Sequence, residues 1–362
     1  MIGAARRRMR QIAAGAVAAM LVLMVAELAV EHFGAAFYHN VVRLGDGGYG
    51  YRPGLRGAYL DIESNLLLRL ASDDLGTRRG GAGTPIEATE TPIVVAGNSY
   101  VDAREVRVEE RFSDLLNRSL AASGRPVRVF NLGVQGQAII NHIDRIRHFD
   151  RLLAPKLVIL GLTVGADFDD AAQITFRGGQ ELRYVATETG VELSTRELSR
   201  SELILRDIRS TFRGLWLGRI LLQGKIQLGE WIVQGEAAGQ RALCPGSLDP
   251  RQNRAPAFRL TEALVDELHE RLGARLVVLL IPDDRQLRIA PGDRNCDLTK
   301  AEFWLAQRIA AKGIHVVSVL DDLRATTEQT YFPGGHLNPA GHRVIANVLA
   351  RHVGPILEPA PP

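Results

Sequence analysis

The chain has 362 residues, long enough for one large domain or two small ones with a substantial core. Its 46% hydrophobic and 23% charged residues exclude a long disordered polymer. The net charge of +3 does not indicate a nucleic-acid partner: Arg6, Arg7, Arg8 and Arg10 supply four positive charges, and without them 40 Lys+Arg face 41 Asp+Glu.

Residues 1–10 read as a basic cytoplasmic tail, and residues 11–33 as a transmembrane anchor. The run QIAAGAVAAMLVLMVAELAV carries only Glu27 and just reaches the roughly 20 residues that a helix needs to cross a bilayer core. Arginines on its N-terminal side hold that end in the cytoplasm and place the rest outside, as a single-pass protein with the lipid bilayer as a partner. A cleaved signal peptide is the competing reading. The apolar run is long for one, and no clean A-x-A site follows. Either way the body of the protein is exported. Cys244 and Cys296 are the only cysteines and can form one disulfide there. Their number and the scattered histidines give no zinc spacing, so neither a metal nor another cofactor is expected.

Residues 34–90 form a β-containing lead-in that ends in a Gly/Arg-rich connection over 79–89. From Thr91 onward short apolar runs alternate with helical spacing. Strands are expected at Pro92–Ala96, Val127–Asn131, Leu157–Leu162, Leu276–Pro282 and His315–Leu320. Helices are expected over Val108–Ser123, Ala138–Leu153, Thr261–Leu272, Lys300–Lys312 and from Pro339. This alternation predicts a three-layer α/β/α domain over 91–357 with a parallel five-stranded sheet. An insertion of hairpin and helices occupies about 171–257, with Trp216 and Trp231 on an apolar face and a mixed basic and apolar stretch over Arg206–Lys225.

Four polar segments fall where such a sheet builds its sites, after the carboxyl ends of strands or before the last helix. They are Gly97-Asn98-Ser99, Asn131-Leu132-Gly133-Val134-Gln135-Gly136, Val164-Gly165-Ala166-Asp167-Phe168-Asp169-Asp170, and Gly335-His336-Leu337-Asn338-Pro339-Ala340-Gly341-His342. Singly, each reads as a helix cap or turn. Together they offer Ser99 as a nucleophile, His336 as its base, and the N–H groups of Ser99 and Gly136 as donors for a developing oxyanion.

In order and wording these segments resemble the four blocks of the SGNH or GDSL-type hydrolases, from about Pro92 to the C-terminus, with an interruption from Ile174 to Ala257. The stretch from Gly48 to Arg78 is similar to a lead-in of exported bacterial members. The resemblance implies a flavodoxin-like fold and ester hydrolysis or O-acyl (acetyl) transfer outside the cytoplasmic membrane. Acylated envelope or exported polysaccharide is the implied substrate, and no cofactor is implied. Two positions depart from the pattern. Ala166 replaces the asparagine that donates to the oxyanion, and Pro333 and Gly334 stand where the aspartate that orients the histidine belongs. Asp322 and Glu328 are the candidates to replace that aspartate, and Asp167 reads as a buried acceptor for loop N–H groups. The alternative to an esterase is a catalytically inactive descendant that binds glycan or an envelope partner. A carboxylate within hydrogen-bond reach of His336 favours the enzyme.

Overall fold

The computed structural model describes residues 14–15, 17–26, 41–43, 49–61, 63–78, 90–165, 167–168, 175–177, 180–187, 191–205, 208, 244, 248–249, 251, 255–290, 292–300 and 305–357. Ala166, Asp169, Asp170, the connection 79–89, Trp216 and Trp231 lie outside them. The chain divides into two compact units. One comprises Met1–Tyr38, Gly57–Tyr59 and Leu198–Arg241. Its described residues 14–15, 17–26 and 201–205 are helical. Among the described residues, no helix is long and apolar enough to cross a membrane.

The other unit comprises His39–Arg56, Leu60–Glu197 and Ala242–Pro362 and is built on a parallel sheet. Its strands are β1 (Thr91–Ala96), β2 (Val127–Asn131), β3 (Leu157–Thr163), β4 (Leu276–Ile281) and β5 (His315–Ser318). They run in the order β5-β4-β3-β1-β2, all neighbours parallel. This is the doubly wound order 2-1-3-4-5, whose direction of winding reverses between β1 and β3. The reversal leaves a crevice beyond the carboxyl ends of those two strands, and Ser99 follows directly after one of them.

Among the described residues eight α-helices accompany the sheet: α1 (Ser99–Asp102), α2 (Phe112–Ala122), α3 (Ile139–Leu153), α4 (Ala255–Leu272), α5 (Asp284–Arg288), α6 (Ala306–Ala310), α7 (Leu320–Ala325) and α8 (Pro339–Leu357). The strands are apolar on both faces because both faces are covered. Val94, Val158, Leu160, Val278 and Leu280 pack with Ile143 of α3, Leu264 of α4 and Ile309 of α6. Ile93, Val95, Ile159, Val277 and Leu279 pack with Leu116 of α2, Leu323 of α7 and Ile345 of α8. Fully burying a side chain of this kind contributes about 1.5–3 kcal/mol relative to exposure. The three-layer α/β/α arrangement expected from the sequence is therefore present. In the insertion, Thr175–Arg177, Gln180–Ala186 and Val191–Glu197 form an antiparallel three-stranded sheet, and Cys244 and Cys296 form a disulfide.

Three glycines fix the seat of α1. A Cβ on Gly97 would lie 2.4 Å from Val101 Cγ2, and one on Gly161 would lie 2.6 Å from the same atom. A Cβ on Gly133 would lie 2.1 Å from the Asp102 backbone nitrogen. Val101 is thus keyed between β1 and β3, and the loop after β2 presses on the backbone of α1. The Gly133 contact is with main chain and has no side chain that can step aside. Gly133→Ala is accordingly expected to destabilise the fold by roughly 1–3 kcal/mol and to shift Ser99, read as a lowered thermal midpoint in circular dichroism.

Candidate active site

Asn98 closes β1 and caps α1, its Oδ1 accepting the Tyr100 N–H at 3.0 Å. This cap presents Ser99 at the first helical position, where a backbone N–H has no partner within the helix. The Asn98 amide donates to Asp167 Oδ2 at 3.0 Å, and the Thr163 N–H donates to the same oxygen at 2.6 Å. His142 Nε2 lies 3.3 Å from Asp167 Oδ1. Asp167 is therefore a buried acceptor. An aspartate at position 98 would set a second carboxylate against it, whereas the amide of asparagine supplies a donor.

His336 comes from the loop before α8. The Gly335 N–H donates to the Phe332 carbonyl and the Phe332 N–H to the His336 carbonyl, at 3.0 and 2.8 Å, while Gly335 takes a left-handed φ of 97°. The Tyr100 hydroxyl donates to the Gly335 carbonyl at 2.9 Å, which joins this loop to α1. His336 Nε2 lies 3.0 Å from Ser99 Oγ. The two residues proposed from sequence as nucleophile and base are in hydrogen-bond contact, 237 positions apart.

The acid partner is neither of the expected ones. Asp322 pairs with Arg351 at 2.7 Å and Glu328 with Arg343 at 2.8 Å, both exposed pairs. The carboxylate that faces His336 is Glu63, whose Oε1 lies 2.6 Å from His336 Nδ1. Its Oε2 accepts the His336 N–H at 3.4 Å. Glu63 sits in a turn held by Asp61, whose Oδ1 accepts from Glu63 N, Ser64 N and Ser64 Oγ at 3.1, 2.8 and 2.9 Å. Gly334 is the notch that admits it, since a Cβ there would lie 2.3 Å from the Glu63 carboxyl carbon. The glycine at this position is a geometric requirement of an acid that arrives from elsewhere. Sequence spacing gave no sign of it across 273 positions; the available cue was the polar break Asp61-Ile62-Glu63-Ser64-Asn65 between the apolar pair Tyr59-Leu60 and the apolar run Leu66-Leu67-Leu68.

Burial alone would lower the His336 pKa. The charge of Glu105, the hydrogen bond and charge of Glu63 and the charge of Asp61 outweigh it and raise the pKa to about 9. His342, by contrast, is buried and stacked on Phe112, with ring centroids 5.8 Å apart. Desolvation, with Arg111 and Arg78 nearby, lowers its pKa to about 3, so it packs as a neutral ring. Gly136 occupies the turn after β2 with φ 68° and open space around it, so its backbone conformation is what favours glycine. A cleft of about 360 Å³ borders the His336 loop at Phe332 and Pro333, and neither Ser99 nor His336 lines it. Among the described residues no group of histidine, cysteine and carboxylate side chains is arranged to hold a metal ion.

No family model matches the sequence, and no curated protein does. Solved structures similar to this chain include TesA (15% identical, covering 74% of this chain and 100% of that one, TM-score 0.41). A lipase/acylhydrolase from Enterococcus faecalis is 15% identical over 75% of this chain and 100% of its own, with a TM-score of 0.39. A member of the lipolytic G-D-S-L family from Veillonella parvula is 14% identical over 72% and 97%, also with a TM-score of 0.39. At this distance they say nothing about the reaction, which must be read from the site itself.

Gly334→Ala tests the notch. The residue is exposed and its φ is not left-handed, so the backbone accepts alanine. Displacement of Glu63 is expected to lower hydrolysis of a test ester as far as Glu63→Ala does, with the thermal midpoint lowered no further than in Glu63→Ala. Wild-type hydrolysis by Gly334→Ala would show that Glu63 needs no notch.

Proposed function

We propose that this chain is an SGNH-type ester hydrolase or O-acyl transferase that works through Ser99, His336 and Glu63. The observation that carries the reading is the continuous hydrogen-bonded relay of Ser99 Oγ, His336 Nε2, His336 Nδ1 and Glu63 Oε1, with steps of 3.0 and 2.6 Å. A hydroxyl becomes a useful nucleophile when a base removes its proton, and the base works when a third group fixes its tautomer. In neutral His336 the Nδ1–H donates to Glu63, which leaves Nε2 free to accept.

In this mechanism Ser99 Oγ attacks the ester carbonyl as its proton passes to Nε2. The carbonyl oxygen takes up the electron pair and is met by the N–H groups of Ser99 and Gly136. The tetrahedral adduct then expels the alcohol, which receives the proton from Nε2, and Ser99 keeps the acyl group. Water or an acceptor hydroxyl next gives its proton to Nε2 and attacks the acyl-enzyme; the second adduct expels Ser99 Oγ, which takes that proton back from Nε2, so that both residues return to their starting state. Ala166 brings no side-chain donor where the family pattern has an asparagine. Loss of one such donor costs about 10²–10³ in rate in well-studied serine hydrolases, which predicts a slow enzyme. The inactive glycan-binding alternative loses its main support, because the orienting carboxylate is supplied by Glu63.

The same reading places the body of the protein outside the cytoplasmic membrane, anchored by the N-terminal apolar segment, with acyl groups on envelope or exported polysaccharide as substrate. Three observations favour this placement. Arginines precede the apolar run. The side chains of Val17, Met20, Leu21, Val22, Leu23, Met24 and Val25 are each more than half exposed, an arrangement suited to lipid. The Cys244–Cys296 disulfide belongs to an oxidising compartment. A C-terminal alkaline phosphatase fusion in a bacterial host is expected to be active and to sediment with membranes. An inactive fusion that stays in the cytosol would refute the placement.

The function is tested by p-nitrophenyl acetate turnover with the full-length chain in detergent. Wild type is expected to turn over and to form a stable adduct with a fluorophosphonate on Ser99. Ser99→Ala and His336→Ala should fall to the background rate. His336 must be neutral to act as base, so kcat/KM is expected to rise about tenfold per pH unit from pH 7 and to level off near its pKa of about 9. Equal rates for all three proteins would end the esterase reading.

A further inference from the structure

The imidazole Nδ1 of His336 faces two carboxylates. Glu63 Oε1 bonds it at 2.6 Å, and Glu105 Oε1 lies 3.8 Å away. The two acids come from unrelated parts of the chain. Glu63 is carried by the lead-in, while Glu105 follows α1 and its side chain is only 5% exposed. The segment that carries Glu105 is fixed on both sides. Arg78 Nη1 donates to the carbonyls of Asp102 and Ala103 at 2.9 and 2.8 Å, and its Nη2 donates to that of Val106 at 3.4 Å. Ala103 adopts a left-handed φ of 54°, a conformation uncommon for a residue with a side chain.

A carboxylate kept this far from water is costly unless a cation or donors compensate it. Burial raises the Glu105 pKa, and the positive charge of His336 is the largest influence drawing it back. That charge reaches Glu105 through Nδ1, the ring nitrogen opposite the one that faces Ser99. A small movement of about 1 Å would bring Glu105 to charge-assisted hydrogen-bond distance.

We propose that Glu105 is a second positioning carboxylate for His336, which shares Nδ1 with Glu63 and takes it over when Glu63 is withdrawn. The proposal rests on the serine-hydrolase reading above. When both acids are in place, Glu63 fixes the tautomer and Glu105 adds negative charge that favours the imidazolium formed as Ser99 attacks. When Glu63 is removed, Glu105 moves onto Nδ1 and the base stays oriented. The other charged or titratable groups near the ring include Asp61 in the Glu63 turn, Arg104 beside Glu105, Asp284 beside Gly335, Tyr100 tilted at 45° with ring centroids 5.2 Å apart, and buried His342.

The test is a double-mutant cycle on the full-length chain with p-nitrophenyl acetate, read as kcat/KM across pH 6–10. Glu105→Gln alone is expected to cost a few-fold at high pH and to move the rising limb to lower pH, because one of the charges that raise the His336 pKa is gone. Glu63→Ala alone should lose about 10–100-fold, well short of the roughly 10⁴ typical when the orienting acid of a serine triad is disabled. The pair Glu63→Ala/Glu105→Gln should reach that larger loss, beyond the product of the single effects. The proposal is overturned if Glu63→Ala already loses 10⁴ and Glu105→Gln adds nothing, or if the Glu105→Gln pH profile superimposes on wild type. Glu105→Asp repeats the cycle with a shorter acid, should the amide not fold. Ser99→Ala separates the two ideas: wild-type turnover by that variant sinks the serine mechanism, whereas its inactivity alongside an additive cycle sinks only the role of Glu105.

Discussion

The hydrogen bond between Glu63 and His336 joins a turn before the sheet to a loop after it, and most unusual features of the sequence follow from it. The acid arrives from upstream, so the loop before α8 must leave it room, and Gly334 does so. The turn that carries Glu63 must be rigid without a helix or strand around it, and Asp61 provides three accepted hydrogen bonds from one oxygen. The lead-in is thereby a working part of the site. Without it His336 would keep its contact with Ser99 and lose the partner at 2.6 Å on Nδ1, with Glu105 left as the carboxylate facing that nitrogen.

A second tie runs deeper in the same unit. The Tyr51 hydroxyl donates to Asp102 Oδ2 at 2.6 Å, and Arg78 Nη1 lies 3.7 Å from Asp102 Oδ1. All three side chains are buried. Asp102 ends α1, the four-residue helix that begins with Ser99. The lead-in therefore grips both the acid side and the nucleophile side of the proposed relay. Arg145 belongs to the same neighbourhood; desolvation lowers its pKa to about 10, the charge of Asp102 opposes that, and its guanidinium donates to the Leu132 carbonyl. Such buried charge is expensive, and removing one partner leaves the others uncompensated. The arrangement trades stability for a fixed α1, which is what the proposed nucleophile, three residues before Asp102, requires.

The sheet was legible from sequence because each strand is a short apolar run covered on both faces, and each run precedes a glycine or a polar turn. Ser99 and His336 were legible because the crevice between β1 and β3 constrains where a doubly wound sheet places its chemistry. Glu63 was not, for the reason that makes it interesting. Its partner is 273 positions away, and the polar break that carries it reads equally well as a solvated turn. Gly334 was read as a lost group when it is a gap. Asp322 and Glu328, close to His336 in sequence, found arginines Arg351 and Arg343 on the surface instead. Nearness along the chain misled where packing decided.

The electrostatics of His336 set activity and stability against each other. Its folded pKa of about 9 stands above the usual 6.5, so the folded state binds the proton more tightly than the unfolded chain does. That preference amounts to at most about 3 kcal/mol, is fully present below pH 6.5, and is lost as pH rises through 9. General-base catalysis has the opposite requirement, because only the neutral ring can accept the Ser99 proton. The carboxylates that orient the base also hold it in the protonated form at neutral pH, and deprotonating it releases the attraction that helps hold the lead-in turn against the loop before α8. In the proposed reaction a bound ester relieves the conflict in part: the imidazolium that would form during attack is the species that Glu63 and Glu105 would stabilise, so the charge that holds back the resting site would lower the barrier once Ser99 engages its substrate.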